Sequence, residues 1–208
     1  MSRVSDSQVR TIGLCGTMGS GKSTVLSILK DRIPAVDCDS INRDLLLPGH
    51  EGYNALKKAG LLMTREDGTA DAAAMSRKMF SEDPAYKKQV EGILQNLILE
   101  KMKSWMKEQK GLCVVEVPLL FELNLQNLFD EIWCVTASEQ TALKRLQEGR
   151  GISQETALAR LRHQTPAESK IARSTRVITN DGTLEELKKL TLDCLEKTGE
   201  QMTRTSEN

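Results

Sequence analysis

The chain predicts an α/β fold: a parallel β-sheet flanked by helices, with an inserted all-helical domain and a helical lid. Three observations predict it. Short apolar, strand-like runs alternate with helical periods through both ends of the chain, the pattern of strand–helix crossovers. Residues 50–110 break that alternation: they hold no strand-like run and are rich in lysine, glutamate and methionine. Between the first strand-like run and the first helical one stands Gly16-Thr17-Met18-Gly19-Ser20-Gly21-Lys22-Ser23, which fills every fixed position of the phosphate-cradling pattern G-x-x-x-x-G-K-[ST].

Taken in order, residues 1–9 read as a frayed arm and Thr11–Cys15 as a short buried strand. After the glycine loop, Ser23–Leu29 places Val25, Ile28 and Leu29 on one helical stripe that ends near Asp31-Arg32. Ile33–Asp37 reads as a second strand, with Asp39 just past its carboxyl end. A helix follows over Ser40–Leu47 and stops before Pro48-Gly49. From Pro84 to Lys107 apolar residues recur at Val90, Ile93, Leu94, Leu97, Ile98, Met102 and Trp105. That period predicts one helix of roughly 30 Å or more, and its methionines and Trp105 read as core.

Strand character returns at Leu112–Val117, closed by Pro118, and at Glu131–Val135. A helix over Glu139–Gln147 carries Leu143 and Leu146, and Ser153 is placed to cap another with Ala157, Leu158 and Leu161 on one face. Arg176–Thr179 is the last strand. Thr183 and Glu186 have capping-box spacing and open a final helix, and the polar tail after Gly199 reads as disordered. The organisation expected is a nucleotide-binding core of residues 10–49 and 111–198 with its lid at about 145–165, a helical insertion at 50–110, and flexible termini at 1–9 and 199–208.

The glycine loop carries the most specific chemistry. Glycines let backbone N–H groups curl around phosphate oxygens, and the helix start adds partial positive charge. Gly16, Thr17, Met18, Gly19, Ser20, Gly21, Lys22, Ser23 and Thr24 are therefore expected at the phosphates of ATP, with Lys22 reaching the β- and γ-phosphates and Ser23 ligating Mg²⁺. Phosphoryl transfer to an alcohol also needs a carboxylate near the acceptor. Asp37 and Asp39 supply two, expected on the same side because a strand alternates with period two. Either could instead cap the following helix. Glu116, at the end of the third strand, is a candidate for a role towards Mg²⁺-bound water. Arg145 and Arg150, beside Gly149 and Gly151, are candidates to meet the transferring phosphate from a lid.

Composition narrows the alternatives. Lysine plus arginine equals aspartate plus glutamate at 29 each, so no global charge draws the chain to nucleic acid or a membrane surface. Aromatic content of 3% argues against base-stacking platforms. The five cysteines form no C-x-x-C pair and mostly sit in or beside apolar runs, which favours buried free thiols in a reducing compartment. No signal-like core or membrane-length apolar window is present, and a monomeric cytoplasmic protein is expected. His50 and His163 have no metal-ligand or triad spacing and read as surface groups.

Together these stretches resemble the dephospho-CoA kinase family. The resemblance is carried by Ile12-Gly13-Leu14 leading into the loop, Val36–Asp39 with Arg43 to Gly49, Asp67-Gly68, and Met79-Phe80. It continues through Val117–Glu122, Arg145-Leu146, Ala159-Arg160 to Gln164, and Val177–Asn180. It implies a P-loop NTPase-type core, ATP and dephospho-CoA as small-molecule substrates, and Mg²⁺. By the same resemblance Asp39 is the general base on the acceptor hydroxyl, residues 50–110 are the CoA-binding domain, residues around 145–164 are the lid, and Asn180 to Gly182 line the adenine pocket. Two other functions are weighed against it. One is a nucleoside or nucleotide kinase of the same fold. The other is a non-catalytic nucleotide-binding paralogue, motivated by Gln95-Asn96 and Ser174-Thr175 where the family commonly carries other residues.

Overall fold

The computed structural model describes residues 9–80, 83–150 and 165–206, with the backbone alone for 149–150 and 202–206. Five strands form one sheet: β1 (Arg10–Gly16), β2 (Ala35–Asp37), β3 (Leu112–Glu116), β4 (Glu131–Thr136) and β5 (Arg176–Thr179), in the order β2-β3-β1-β4-β5. β1 runs parallel to β3 and β4, and β4 parallel to β5. The helices are α1 (Lys22–Lys30), α2 (Cys38–Leu45), α3 (Glu51–Lys58), α4 (Ala72–Phe80), α5 (Pro84–Glu108), α6 (Glu139–Arg150), α7 (Ala167–Ala172) and α8 (Leu184–Ser206). The chain divides into two compact units, residues 1–36 with 109–208, and Asp37–Glu108. The helical unit therefore starts at Asp37, not at residue 50, and takes in α2.

In the first unit β1 is buried from Thr11 through Gly16, as a central parallel strand covered on both faces must be. On one face Val25, Leu26 and Leu29 of α1 and Leu187 of α8 meet Ile12, Leu14, Val114, Trp133, Val135 and Ile178. Each such fully buried aliphatic side chain contributes about 1.5–3 kcal/mol. Gly13 is a packing requirement in mid-strand: a Cβ there would lie 2.8 Å from the side chains of Leu120 and Phe129. All five cysteines are free thiols. A hydrogen bond shared with Cys134, with burial adding to it, pushes the Cys15 thiol far up, so it stays protonated.

The start of β4 holds a carboxylate with four donors. Glu131 accepts from Arg10 at 2.9 Å, Trp133 Nε1 at 3.0 Å, Arg176 Nε at 3.1 Å and Thr198 Oγ1 at 2.9 Å. Burial alone would raise its pKa, but the Trp133 and Thr198 hydrogen bonds and the Arg176 charge together hold it below the usual glutamate range. Thr198 is fully buried, and Arg176 also donates to Gln201 at 2.8 Å. These bonds correct the expectation of a disordered tail: α8 continues through Gly199 to Ser206, with Thr198 and Gln201 bonded to Glu131 and Arg176 at the starts of β4 and β5.

In the second unit Leu56, Met75, Tyr86, Val90 and Leu94 form the core, with Leu46, Ile93 and Ile98 against it. Tyr53 and Tyr86 donate their hydroxyls to Gly68 O and Leu61 O, both at 2.8 Å, closing the connection between α3 and α4 onto the helices. Asp71 and Asp83 cap α4 and α5 by accepting from Ala74 N and Tyr86 N, each at 2.9 Å. Other boundaries moved as well. β2 begins at Ala35 instead of Ile33, α2 spans Cys38–Leu45 instead of Ser40–Leu47, and α6 runs three residues past Gln147. The helix expected from Ser153, His163 with it, and the arm of residues 1–8 lie outside the described residues.

Candidate active site

The loop between β1 and α1 is built on backbone that side chains rarely adopt: φ is +78° at Gly19 and +92° at Gly21. It is also tight. A Cβ at Gly19 would sit 2.7 Å from Ala142 O of α6, and one at Gly21 would collide with Asn180 Nδ2. Gly21 is the N-cap of α1 and supplies no capping side chain, so the first N–H groups of the helix are left without one. Ser20 is fully buried, and its hydroxyl has no hydrogen-bond partner among the described residues. Lys22 Nζ lies over the loop, donating to Gly16 O at 3.1 Å and Thr17 O at 2.9 Å. Ser23 is exposed in the first turn.

A glycine cradle, an open helix start, an orphaned hydroxyl and an ammonium fit a polyphosphate. Among the described residues no group of three or more His, Cys, Asp or Glu could hold a metal ion. A hard cation here would take the Ser23 hydroxyl and substrate oxygens.

Around the loop, α6 and the turn after β5 are tied together. Ser138 caps α6 through Thr141 N at 3.2 Å and donates its own N–H to Asp181 at 2.8 Å. That N–H, with Thr141 adding to it, holds the Asp181 carboxyl below its ordinary value. Arg145, two turns on, donates to Asn180 O at 3.0 Å and to Asn180 Oδ1 at 3.2 Å. Asn180 in turn donates to Ser20 O at 2.8 Å. The structure thus brings the loop, Arg145 and Asn180 together within the first unit. The side chain of Arg150 and residues 151–164 of the expected lid lie outside the described residues.

Asp37 and Asp39 do not share a face of a strand, because β2 ends at Asp37 and α2 begins at Cys38. Their roles separate instead. Asp37 is the N-cap, accepting from Ser40 N at 2.6 Å, with Ser40 Oγ returning a bond to Asp37 O at 2.7 Å. Asp39 is exposed in the first turn of α2, and no capping bond is made to its side chain. Glu116 closes β3, half-buried. His50 is exposed beside Asp44 at 3.4 Å. Glu122, from the stretch 117–122, is occupied: it lies 3.0 Å from the buried Lys170 Nζ and accepts from Thr165 N at 3.0 Å. Burial would raise its pKa, but the Thr165 N–H and Lys170 outweigh it and lower the value. Sequence reasoning missed the Arg145–Asn180–Ser20 chain, since Asn180 and Ser20 stand 160 residues apart.

A glycine loop of this geometry after the central strand of a parallel sheet defines a P-loop nucleotide-binding core. The family model of dephospho-CoA kinase matches residues 10–186. A dephospho-CoA kinase of Carboxydothermus hydrogenoformans is 36% identical over 192 residues, covering 89% of this chain and 93% of its own. One of Bacillus cereus is 34% identical over 183 residues, covering 85% and 91%. The chain belongs to the dephospho-CoA kinase family. Among solved structures, one from Thermus thermophilus superposes with a TM-score of 0.76 at 28% identity, covering 91% of this chain and 98% of its own. A shikimate kinase from Bacteroides thetaiotaomicron, with a TM-score of 0.51 at 13% identity, shares the fold alone. The family match favours the dephospho-CoA reading over both alternatives weighed from the sequence. Among the described residues no helix is long and apolar enough to cross a membrane.

Proposed function

We propose that this chain transfers the γ-phosphoryl group of ATP to the ribose 3′-hydroxyl of dephospho-CoA, giving coenzyme A and ADP, as a cytoplasmic monomer. The observation that carries the reading is the family match spanning a loop whose glycines, open helix start and Lys22 are intact. Residues Gly16 to Thr24 would cradle the triphosphate, and Lys22 would meet the β- and γ-phosphates. Ser23 would hold Mg²⁺, which when bound screens phosphate charge. Asn180 to Gly182 would line the base. Asp39 would accept the proton of the 3′-hydroxyl as O3′ bonds to the γ-phosphorus and the bond to ADP breaks. An arginine of the 145–150 stretch would meet the developing charge. The helical unit, with its own core, would supply the CoA-binding surface.

Asp39 is suited to the base role because Asp37, not Asp39, serves as the cap of α2. The test is ADP release with ATP, Mg²⁺ and dephospho-CoA, with the product mass checked. The expected result is dephospho-CoA-dependent ADP and a product heavier by one phosphoryl group. Asp39→Asn should lower kcat by roughly 10²–10⁴-fold with ATP affinity unchanged. ADP release without the phosphorylated product would overturn the acceptor assignment, and an unchanged kcat in Asp39→Asn would remove Asp39 as the base.

A further inference from the structure

We infer that Asn180 is a positioning residue of the phosphate loop, and that Arg145 acts through it. The inference rests on the reading of Gly16–Ser23 as the triphosphate cradle, and concerns what holds that cradle in shape. The glycines that let the loop curl also make its peptide planes cheap to turn over, since glycine adopts positive and negative φ about equally. Gly19 and Gly21, both left-handed, flank Ser20. The plane between Ser20 and Gly21 carries Ser20 C=O and Gly21 N–H, which point in opposite directions in a planar trans peptide. Asn180 Nδ2 holds that carbonyl at 2.8 Å. The same bond therefore fixes the direction of the Gly21 N–H at the start of α1, and turning the plane over would break it.

The orientation of the Asn180 amide is itself determined. Arg145 can only donate and Ser20 O can only accept, so Oδ1 must face the guanidinium and Nδ2 the loop. The Arg145 fork spans Asn180 O and Oδ1 at 3.0 and 3.2 Å, so backbone and side chain are clamped together. Asn180 is 5% exposed and its N–H continues the sheet to Thr136 O at 2.8 Å. Gly21 leaves no room for a Cβ beside Nδ2. α6, through Arg145, thus sets the loop from behind, without touching phosphate.

Asn180→Asp tests this with little change of size. The carboxylate keeps its partner Arg145 but turns an oxygen onto Ser20 O. The measurement is the KM for ATP together with the inhibition constants of inorganic tripolyphosphate and of adenosine against ATP. If Asn180 positions the cradle, ATP and tripolyphosphate weaken by the same factor, about tenfold or more, and adenosine is unchanged. If adenosine and ATP weaken while tripolyphosphate does not, Asn180 serves the base alone and the inference is overturned. Failure of tripolyphosphate to compete in the unmodified enzyme would instead remove the cradle reading, and this inference with it.

A second cycle decides the matter should Asn180→Asp fold poorly. Arg145→Met should raise the KM for ATP in the native background and change it less than twofold when Asn180 is already alanine. A full additional loss of kcat in the Asn180→Ala background would mean that Arg145 acts on phosphate directly, and would overturn the relay.

Discussion

α1 and α2 each begin where a strand ends, yet their first turns are finished in opposite ways. α1 follows β1 through Gly21, which offers no capping side chain, so its leading N–H groups and their partial charge remain for a ligand. α2 follows β2 through Asp37, whose carboxylate takes Ser40 N at 2.6 Å and closes the helix start. An anion has a reason to settle on α1 and none to settle on α2. The closed cap has a further effect: because Asp37 does the capping, Asp39 in the same turn is released from that duty. The difference teaches that a helix start can be spent on stability or kept for binding, and that the residue at one position, glycine or aspartate, decides which.

The largest effect should come from removing the charge that serves the open start. Lys22→Ala is expected to lower kcat/KM for ATP by roughly 10²–10³-fold while the thermal midpoint stays within a few degrees. Lys22 lies over loop carbonyls outside the apolar core, so the fold should tolerate its loss. Near-native turnover in this variant would show that the open start of α1 is not where the triphosphate binds.

Closing the open start sterically should cost stability and binding together. Gly21→Ala meets two penalties, a left-handed backbone and a collision with Asn180 Nδ2. Gly60 supplies the control, with φ at +70° and nothing within 4 Å of the place a Cβ would take. Gly60→Ala should therefore cost only about 1 kcal/mol in denaturant unfolding and leave ATP binding alone. Gly21→Ala should cost about 2 kcal/mol or more and lose ATP affinity. Equal losses at the two glycines would mean that the loop is not held tightly from behind.

What the sequence made legible follows from how local each signal is. The limits of β1, β3, β4 and β5 fall within one residue of those read from apolar runs, and α5 ends one residue past Lys107. Thr183 and Glu186 form the capping box their spacing implies, with Thr183 N donating to Glu186 at 2.7 Å and Glu186 N to Thr183 Oγ1 at 3.2 Å. The glycine loop is legible for the same reason, since its geometry is written in eight consecutive residues. Glu131 was not, because its donors come from Arg10, Trp133, Arg176 and Thr198 and meet only after folding. The tail of α8 was misjudged through the same blindness: Gly199 and its polar neighbours look unstructured until Thr198 and Gln201 are seen bonded to the sheet. Asp37 and Asp39 show a third case. The residue types were informative, but a strand that ends at Asp37 and turns at once into a helix changes both their faces and their duties.

The smallest effect, and the finest test of the comparison, lies within those two residues. Asp37→Ala removes the carboxylate that closes α2, and the loss of such a cap typically costs about 1 kcal/mol. The ion pair of Asp37 with the exposed Arg43, at 3.7 Å, adds little to that because solvent screens it. Asp39→Ala removes a carboxylate of the same kind two residues later that serves no cap, so urea unfolding should move by less than about 0.5 kcal/mol. Turnover should divide the other way, with the Asp39 variant losing kcat far more than the Asp37 variant. If both variants lost stability equally, the capping duty would be shared and Asp39 would be held in place. If instead stability and turnover separate across the pair, one closed helix start supplies both the anchor of α2 and an unencumbered carboxylate beside it.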